Sequence, residues 1–188
     1  MMLEAPVTLG QRVKAERARR GWSLARLAEV SGVSRAMISK IERDESSPTA
    51  VVIGKLSAAL ELSMSVLLSP SVGATAAQVR RAAETPQWTD PDTGYLRRQI
   101  STPGFAADVT EVELPAGARV PMPAAAYAFI AQLVWVLDGE LTMIDGPDRH
   151  VLQPGDTFEL GQPQAREFIN ATGRLCRYLV VVSRKAGA

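Results

Sequence analysis

The chain has 188 residues, 46% of them hydrophobic and 22% charged, with a formal net charge of +1; this is the balance of a globular protein with room for one large or two small domains. No apolar run approaches the roughly 18 residues that a membrane-spanning helix needs. The first residues lack the basic-then-apolar order of a secretory signal, and the single cysteine, Cys176, cannot close an internal disulfide, so a cytoplasmic protein without a membrane partner is expected. Charge is unevenly spread: residues 1–70 hold 10 Lys+Arg against 7 Asp+Glu, and residues 71–188 hold 11 against 13. The first stretch is therefore mildly basic and compatible with a polyanionic partner.

In chain order, the sequence predicts five helices. Thr8 caps Leu9–Arg20, which Gly21 closes; Ser23 caps Leu24–Val30, which Gly32 ends; Ser34 caps Arg35–Arg43; Thr49 opens Ala50–Leu60; and the run LSMSVLL supplies a last short helix. Residues 70–94 carry Pro70, Pro86 and Pro91 without a sustained pattern, and read as a linker with one helical piece, Thr75–Ala83. Beyond it, eight β-rich runs follow: YLRRQI, ADVTEVEL, AFIAQLVWVL, ELTMID, HVLQ, DTFEL, REFIN and RLCRYLVVVS. Asp138-Gly139, Asp145-Gly146 and Pro154-Gly155 separate some of them with turn chemistry. The expected organisation is a helical domain over 1–69, a linker over 70–94 and an all-β sandwich or jelly-roll barrel over 95–188.

The third helix carries the chemistry. Ile38 and Ile41 fall on one side, with Val33 just before the start, and face the core. Arg35, Ala36, Ser39, Lys40 and Arg43 are left facing outward. With the preceding helix and the turn at Gly32 this makes a helix-turn-helix, whose second helix can lie in the major groove of DNA. Arg and Lys both donate to guanine O6 and N7, and Ala36 is small enough to touch a thymine methyl. Arg43, at the far end, suits a phosphate.

The text LGQRVKAERARRGWSLARLAEVSGVSRAMISKIERDESSPT, followed by LSAALELSMSVLL, resembles the phage Cro and lambda-repressor-like, or XRE-type, helix-turn-helix family. The resemblance implies a double-stranded DNA operator as partner. It places Arg35, Ala36 and Lys40 at base-reading positions and Ser34 and Ser39 at backbone or nearby base contacts. It implies an ion pair between Arg17 and Glu42. Two positions depart from the family pattern: Leu24 stands where Gln is common, leaving the N–H groups near Ser23 as phosphate donors, and Asp44 stands where Gly is favoured. Proteins with this motif bind two half-sites roughly 34–36 Å apart, so a homodimer is expected.

The segments VELPAGARVP, LVWVLDGELTMID and HVLQPGDTFELGQPQAREFIN resemble the cupin family, and the whole layout resembles XRE-type regulators with a C-terminal cupin domain. Metal-binding cupins use a His pair, a Glu and a later His. Counted onto this chain, the resemblance puts Ala126 and Ala128, Gln132 and Arg166 at those positions. The only histidine, His150, lies in another strand and reads as an exposed loop or strand residue. These four positions argue against a metal, and with one histidine, no paired cysteine and no Gly-rich phosphate loop neither a cofactor nor a catalytic set is expected. Gln132 and Arg166 would point inward, where Arg166 could hold the anionic group of a small-molecule effector or pair with Glu159 or Glu167. Tyr127, Phe129 or Trp135 would supply apolar wall. The expected function is a DNA-binding regulator sensing a small metabolite, and not an enzyme. The alternatives are a metal-dependent cupin enzyme with a helical appendage, or an antitoxin-like repressor whose barrel binds protein.

Overall fold

A computed structural model describes residues 7–68, 79–102 and 105–184, the Arg184 side chain excepted. Its described residues form five α-helices: α1 (Leu9–Arg19), α2 (Leu24–Ser31), α3 (Arg35–Glu42), α4 (Ala50–Ala59) and α5 (Met64–Leu68). Four of the starts are capped as the sequence predicts. The hydroxyls of Thr8, Ser23, Ser34 and Thr49 each accept a backbone N–H from three residues on. Thr8 and Gln11 complete a reciprocal capping box. Gly32 ends α2 with a φ of 66°, and Asp44 adopts a φ of 56° after α3; Asp tolerates this left-handed conformation better than most residues.

Ten strands follow in two antiparallel sheets. They are β1 (Gln87–Thr89), β2 (Leu96–Gln99), β3 (Asp108–Leu114), β4 (Arg119–Met122), β5 (Ile130–Asp138), β6 (Leu141–Asp145), β7 (Asp148–Leu152), β8 (Thr157–Glu159), β9 (Arg166–Ile169) and β10 (Cys176–Arg184). The larger sheet runs β1-β2-β3-β10-β5-β8 and the smaller β4-β9-β6-β7. A helix-turn-helix domain followed by an all-β cupin-type barrel is the architecture expected from the sequence.

Three local expectations are corrected. Strand β1 lies within the segment read as linker and pairs with β2, so the barrel sheet starts before residue 95. Strand β4, which contains Pro121, is not among the eight runs expected; it pairs only with β9 and forms one edge of its sheet, where a missing N–H costs least. Of the helical piece expected over Thr75–Ala83, residues 75–78 lie outside the described residues. Residues 79–81 are not helical, and only a 3-10 turn, Ala82–Glu84, follows. Among the described residues no helix is long and apolar enough to cross a membrane.

The two halves are packed together. Helix α4 lies on β4 and on the 3-10 turn Ala124–Tyr127, while α5 meets β3. A Cβ on Gly54 of α4 would stand 3.2 Å from the Met122 sulfur. Polar contacts reinforce the seam: Ser63 Oγ donates to Asp108 Oδ2 at 2.7 Å, Ser65 Oγ and Thr110 Oγ1 lie 3.0 Å apart, and the Asp90 carboxylate accepts the Ala50 N–H at 3.3 Å at the start of α4.

Candidate functional site

Two surfaces gather polar and charged side chains: the outer face of α3 and a cavity beneath α4 and α5. On α3, Ile38 and Ile41 are at most 1% exposed, which fixes the roll of the helix. Arg35, Ala36, Lys40 and Arg43 consequently face solvent, as do Ser23 and Ser34 at the helix starts. Ser23 and Ser34 are both committed as caps through their oxygens, which leaves each hydroxyl proton available to a phosphate. Ser39 is half-buried and accepts from Arg43 Nη1 at 2.6 Å. Arg43 also forms a bidentate pair with Glu45, at 2.6 and 2.8 Å, so its charge is partly met within the protein. Arg35 and Lys40 form no ion pair with any described residue.

The scaffold behind this face is a charged clamp and a close backbone contact. Arg17 on α1 grips Glu42 at the end of α3 with two hydrogen bonds, of 2.6 and 2.8 Å, and its third nitrogen donates to the Trp22 carbonyl at 2.7 Å. Gly10 lets α1 approach α3: a Cβ there would lie 2.1 Å from the Ile41 carbonyl oxygen.

The barrel interior differs from expectation in its cation. Arg166 is 2% exposed, yet it does not line the cavity. Its register partner on β6 is Asp145, and their Nε and Oδ1 lie 2.6 Å apart at an angle that makes no hydrogen bond. Its Nη2 donates to the Gln162 carbonyl, and its guanidinium stacks 4.4 Å over the Tyr127 ring. Its partner is therefore neither Glu159 nor Glu167; Glu167 instead pairs with Arg119 at 2.7 Å. Trp135 is 44% exposed on the outer face of β5. Phe129 lies by α5, next to Ser63 and Val66. Neither contributes to the interior wall. Gln132 and Tyr127 do line the cavity.

The four positions of a cupin metal site do not fit a divalent ion. Ala126 and Ala128 offer no side-chain donor, Gln132 offers a neutral amide, and Arg166 is a cation already paired with Asp145. Among the described residues no three His, Cys, Asp or Glu side chains converge. His150 stands on β7 with its ring centroid 4.7 Å from that of Phe158.

The charged residue that does line the cavity is Arg97 on β2, which sequence reasoning left unassigned. The cavity, of about 40 Å³, lies between the sheets and is closed by Ser57, Met64 and Ser65 of the helical domain. Arg97 is 7% exposed. It donates to the Tyr95 hydroxyl at 2.7 Å and to Ser65 Oγ at 3.2 Å. The alternation of β2 turns Arg97 and Gln99 inward and leaves Leu96 and Arg98 half-buried on the other side.

Comparison with known proteins gives the following similarities. The profile of the helix-turn-helix family HTH_3 matches residues 13–67. The HTH-type transcriptional regulator SutR of Escherichia coli is 48% identical over 67 residues, 36% of this chain and 38% of SutR. SinR of Bacillus subtilis, another HTH-type transcriptional regulator, is 41% identical over 61 residues, 32% of this chain and 55% of SinR. The chain thus spans about two-fifths of SutR and just over half of SinR. A crystal structure of an HTH_3 family transcriptional regulator from Vibrio cholerae superposes with a TM-score of 0.74 at 22% identity, over 94% of this chain and 95% of that one; it shares the fold of both domains.

Proposed function

We propose that this chain, whose residues 13–67 are a helix-turn-helix domain of the HTH_3 family, is a sequence-specific DNA-binding transcriptional regulator of the cytoplasm. The observation that carries the reading is the face of α3: Arg35, Ala36 and Lys40 are exposed while Ile38 and Ile41 hold the helix down. That face offers major-groove donors at one end and the caps Ser23 and Ser34 for phosphates. The names of SutR and SinR support the same reading.

Operators are selected from random duplexes and affinities measured by fluorescence anisotropy. Arg35→Ala or Lys40→Ala weakens specific binding by about 1–3 kcal/mol per lost base contact, with thermal unfolding unchanged. Equal operator affinity of both variants and the parent chain refutes the role.

The regulator works as a homodimer, because two half-sites one turn apart need two reading heads. The contact we assign is the outer face of the larger sheet. There Leu133, Trp135, Leu179 and Val181 of the adjacent strands β5 and β10 form an apolar patch that a second copy can cover. Trp135→Glu is expected to shift the protein to monomer in sedimentation and to weaken operator binding. A dimer that survives Trp135→Glu removes this patch as the contact.

The barrel serves as sensor and performs no catalysis. The residues at the metal positions favour this reading, and stoichiometric iron, manganese, nickel or zinc in the purified protein would overturn it. A small-molecule effector changes DNA affinity by binding two arrangements of the dimer unequally.

A further inference from the structure

We propose that the cavity beneath α4 and α5 binds a short-chain monocarboxylate through Arg97, and that its occupancy displaces α4–α5 relative to the barrel. This deepens the sensor reading above and rests on it. Taking a guanidinium out of water is costly unless an anion meets it. Arg166 obeys this rule through Asp145. Arg97 does not: its two hydrogen-bond partners, Tyr95 and Ser65, are neutral, and no carboxylate of the described residues forms an ion pair with it.

A second group points to the same occupant. The Tyr127 hydroxyl belongs to a residue 5% exposed, lines the cavity and has no hydrogen-bond partner. Burial pushes the Tyr127 phenol well above its ordinary value, so the group stays protonated and can donate. A buried donor left unmade costs free energy that a ligand oxygen would recover. The Gln132 amide borders the same space.

The remaining walls define the rest of the ligand. Met122, Ile130, Phe168, Val180 and Val182 are apolar, which suits a short aliphatic tail. It is a poorer match for phosphate or sulfate, whose additional oxygens would be set against these apolar side chains. Size sets the length. At roughly 10–15 Å³ per water, the cavity of about 40 Å³ takes about three or four waters or a very small acid. Anything longer must move Met122 on the barrel side or Met64 on the helical side, and Ser57, Met64 and Ser65 belong to α4 and α5. Met122 abuts Gly54 of α4, so either movement pushes on the helices, and an acid too long for the resting cavity separates them from the sheet.

The full chain is titrated by calorimetry with formate, acetate, propionate and butyrate, and separately with inorganic phosphate and sulfate. One carboxylate per chain is expected to bind, with an accompanying rise in Tm. Arg97→Gln weakens that binding at least about tenfold, the loss of a charge-assisted contact; Tyr127→Phe weakens it roughly two- to tenfold, the loss of a neutral one. No heat with any carboxylate, tighter binding of phosphate or sulfate, or wild-type affinity in folded Arg97→Gln overturns the site. If Arg97→Gln does not fold, Tyr127→Phe decides, and unchanged affinity there overturns it. Hydrogen exchange of α5 changes with saturating carboxylate, and unchanged exchange overturns the displacement. Operator binding of the parent chain is read in parallel by anisotropy. Carboxylate binding without operator binding faults the DNA reading alone, and operator binding without carboxylate binding faults this site alone.

Discussion

At the scale of single residues, buried charge separates into pairs that hold the fold and a cation that waits. The Arg17–Glu42 side chains are 15% and 7% exposed, and the Glu42 hydrogen bond is the main cause that raises the Arg17 pKa. Glu42→Ala leaves a largely buried cation unmatched and is expected to cost about 3 kcal/mol in urea unfolding. Arg26 and Glu29 on α2 pair at 2.8 Å with both side chains exposed, and removing that pair costs under about 1 kcal/mol.

Acid sensitivity follows from two other carboxylates. Hydrogen bonds from Arg119 hold Glu167 below its ordinary 4.5, outweighing burial. Burial pushes Glu16 up, but its hydrogen bonds with Arg20 and Arg19 outweigh it and leave Glu16 lowered. A carboxylate lowered in the folded state contributes stability that is fully present above its unfolded pKa and lost as pH falls through its folded one. Tm is therefore expected to hold above about pH 5 and decline below pH 4.5, the ordinary value for Glu, with a shallower decline in Glu167→Gln. Burial, with Asp138 and Glu140 adding to it, pushes the Cys176 thiol up to about 11. Iodoacetamide at neutral pH should label it only as fast as the chain opens.

Arg35 and Lys40 were legible in the sequence because the apolar spacing of their helix fixes which side faces out, and the Arg17–Glu42 pair was implied only by the family resemblance. Arg97 was not legible. In the run Tyr95 to Ile100 three consecutive polar residues separate the aliphatic Leu96 and Ile100, and the ordinary rule turns Leu96 and Ile100 inward. The fold does the opposite, leaving Ile100 40% exposed and burying Tyr95, Arg97 and Gln99. The reason is tertiary: the inward side of β2 meets Thr110 of the neighbouring β3 and Ser65, which the docking of α5 brings over the sheet. Arg166 was correctly expected to be buried, but its partner Asp145 is reached across a strand pairing that the sequence does not display.

At the scale of elements, helix starts were read well because a cap is a local event of three or four residues. The close approach of α1 to α3 was not, since it depends on a contact between residues 10 and 41. Gly10→Ala drives a methyl against a backbone carbonyl that cannot rotate away. It should cost about 1–3 kcal/mol and tilt α3, so operator affinity falls more than Arg35→Ala alone would explain. Chemical denaturation and anisotropy on the same variant test both parts. Strands β1 and β4 escaped notice because prolines flank the first and interrupt the second, whereas the eight that were read carry uninterrupted β-rich runs.

At the scale of the whole molecule, the helical domain and the barrel share one continuous apolar core and a polar seam through Asp90, Asp108 and Thr110. Domains so joined should not melt separately. In single-tryptophan variants, urea transitions reported by Trp22 in the helices and Trp135 in the barrel are expected to coincide. Two midpoints would show the halves to be independent.

One wall of the barrel's chamber is supplied by α4 and α5, and that arrangement runs in both directions. Binding free energies are reciprocal, so if a guest in the chamber alters the grip on DNA, a duplex seated on α3 alters the welcome given to the guest by the same factor. On the proposed function, a molecule seated on an operator and one drifting free would then sample the same pool of small acids with different appetites.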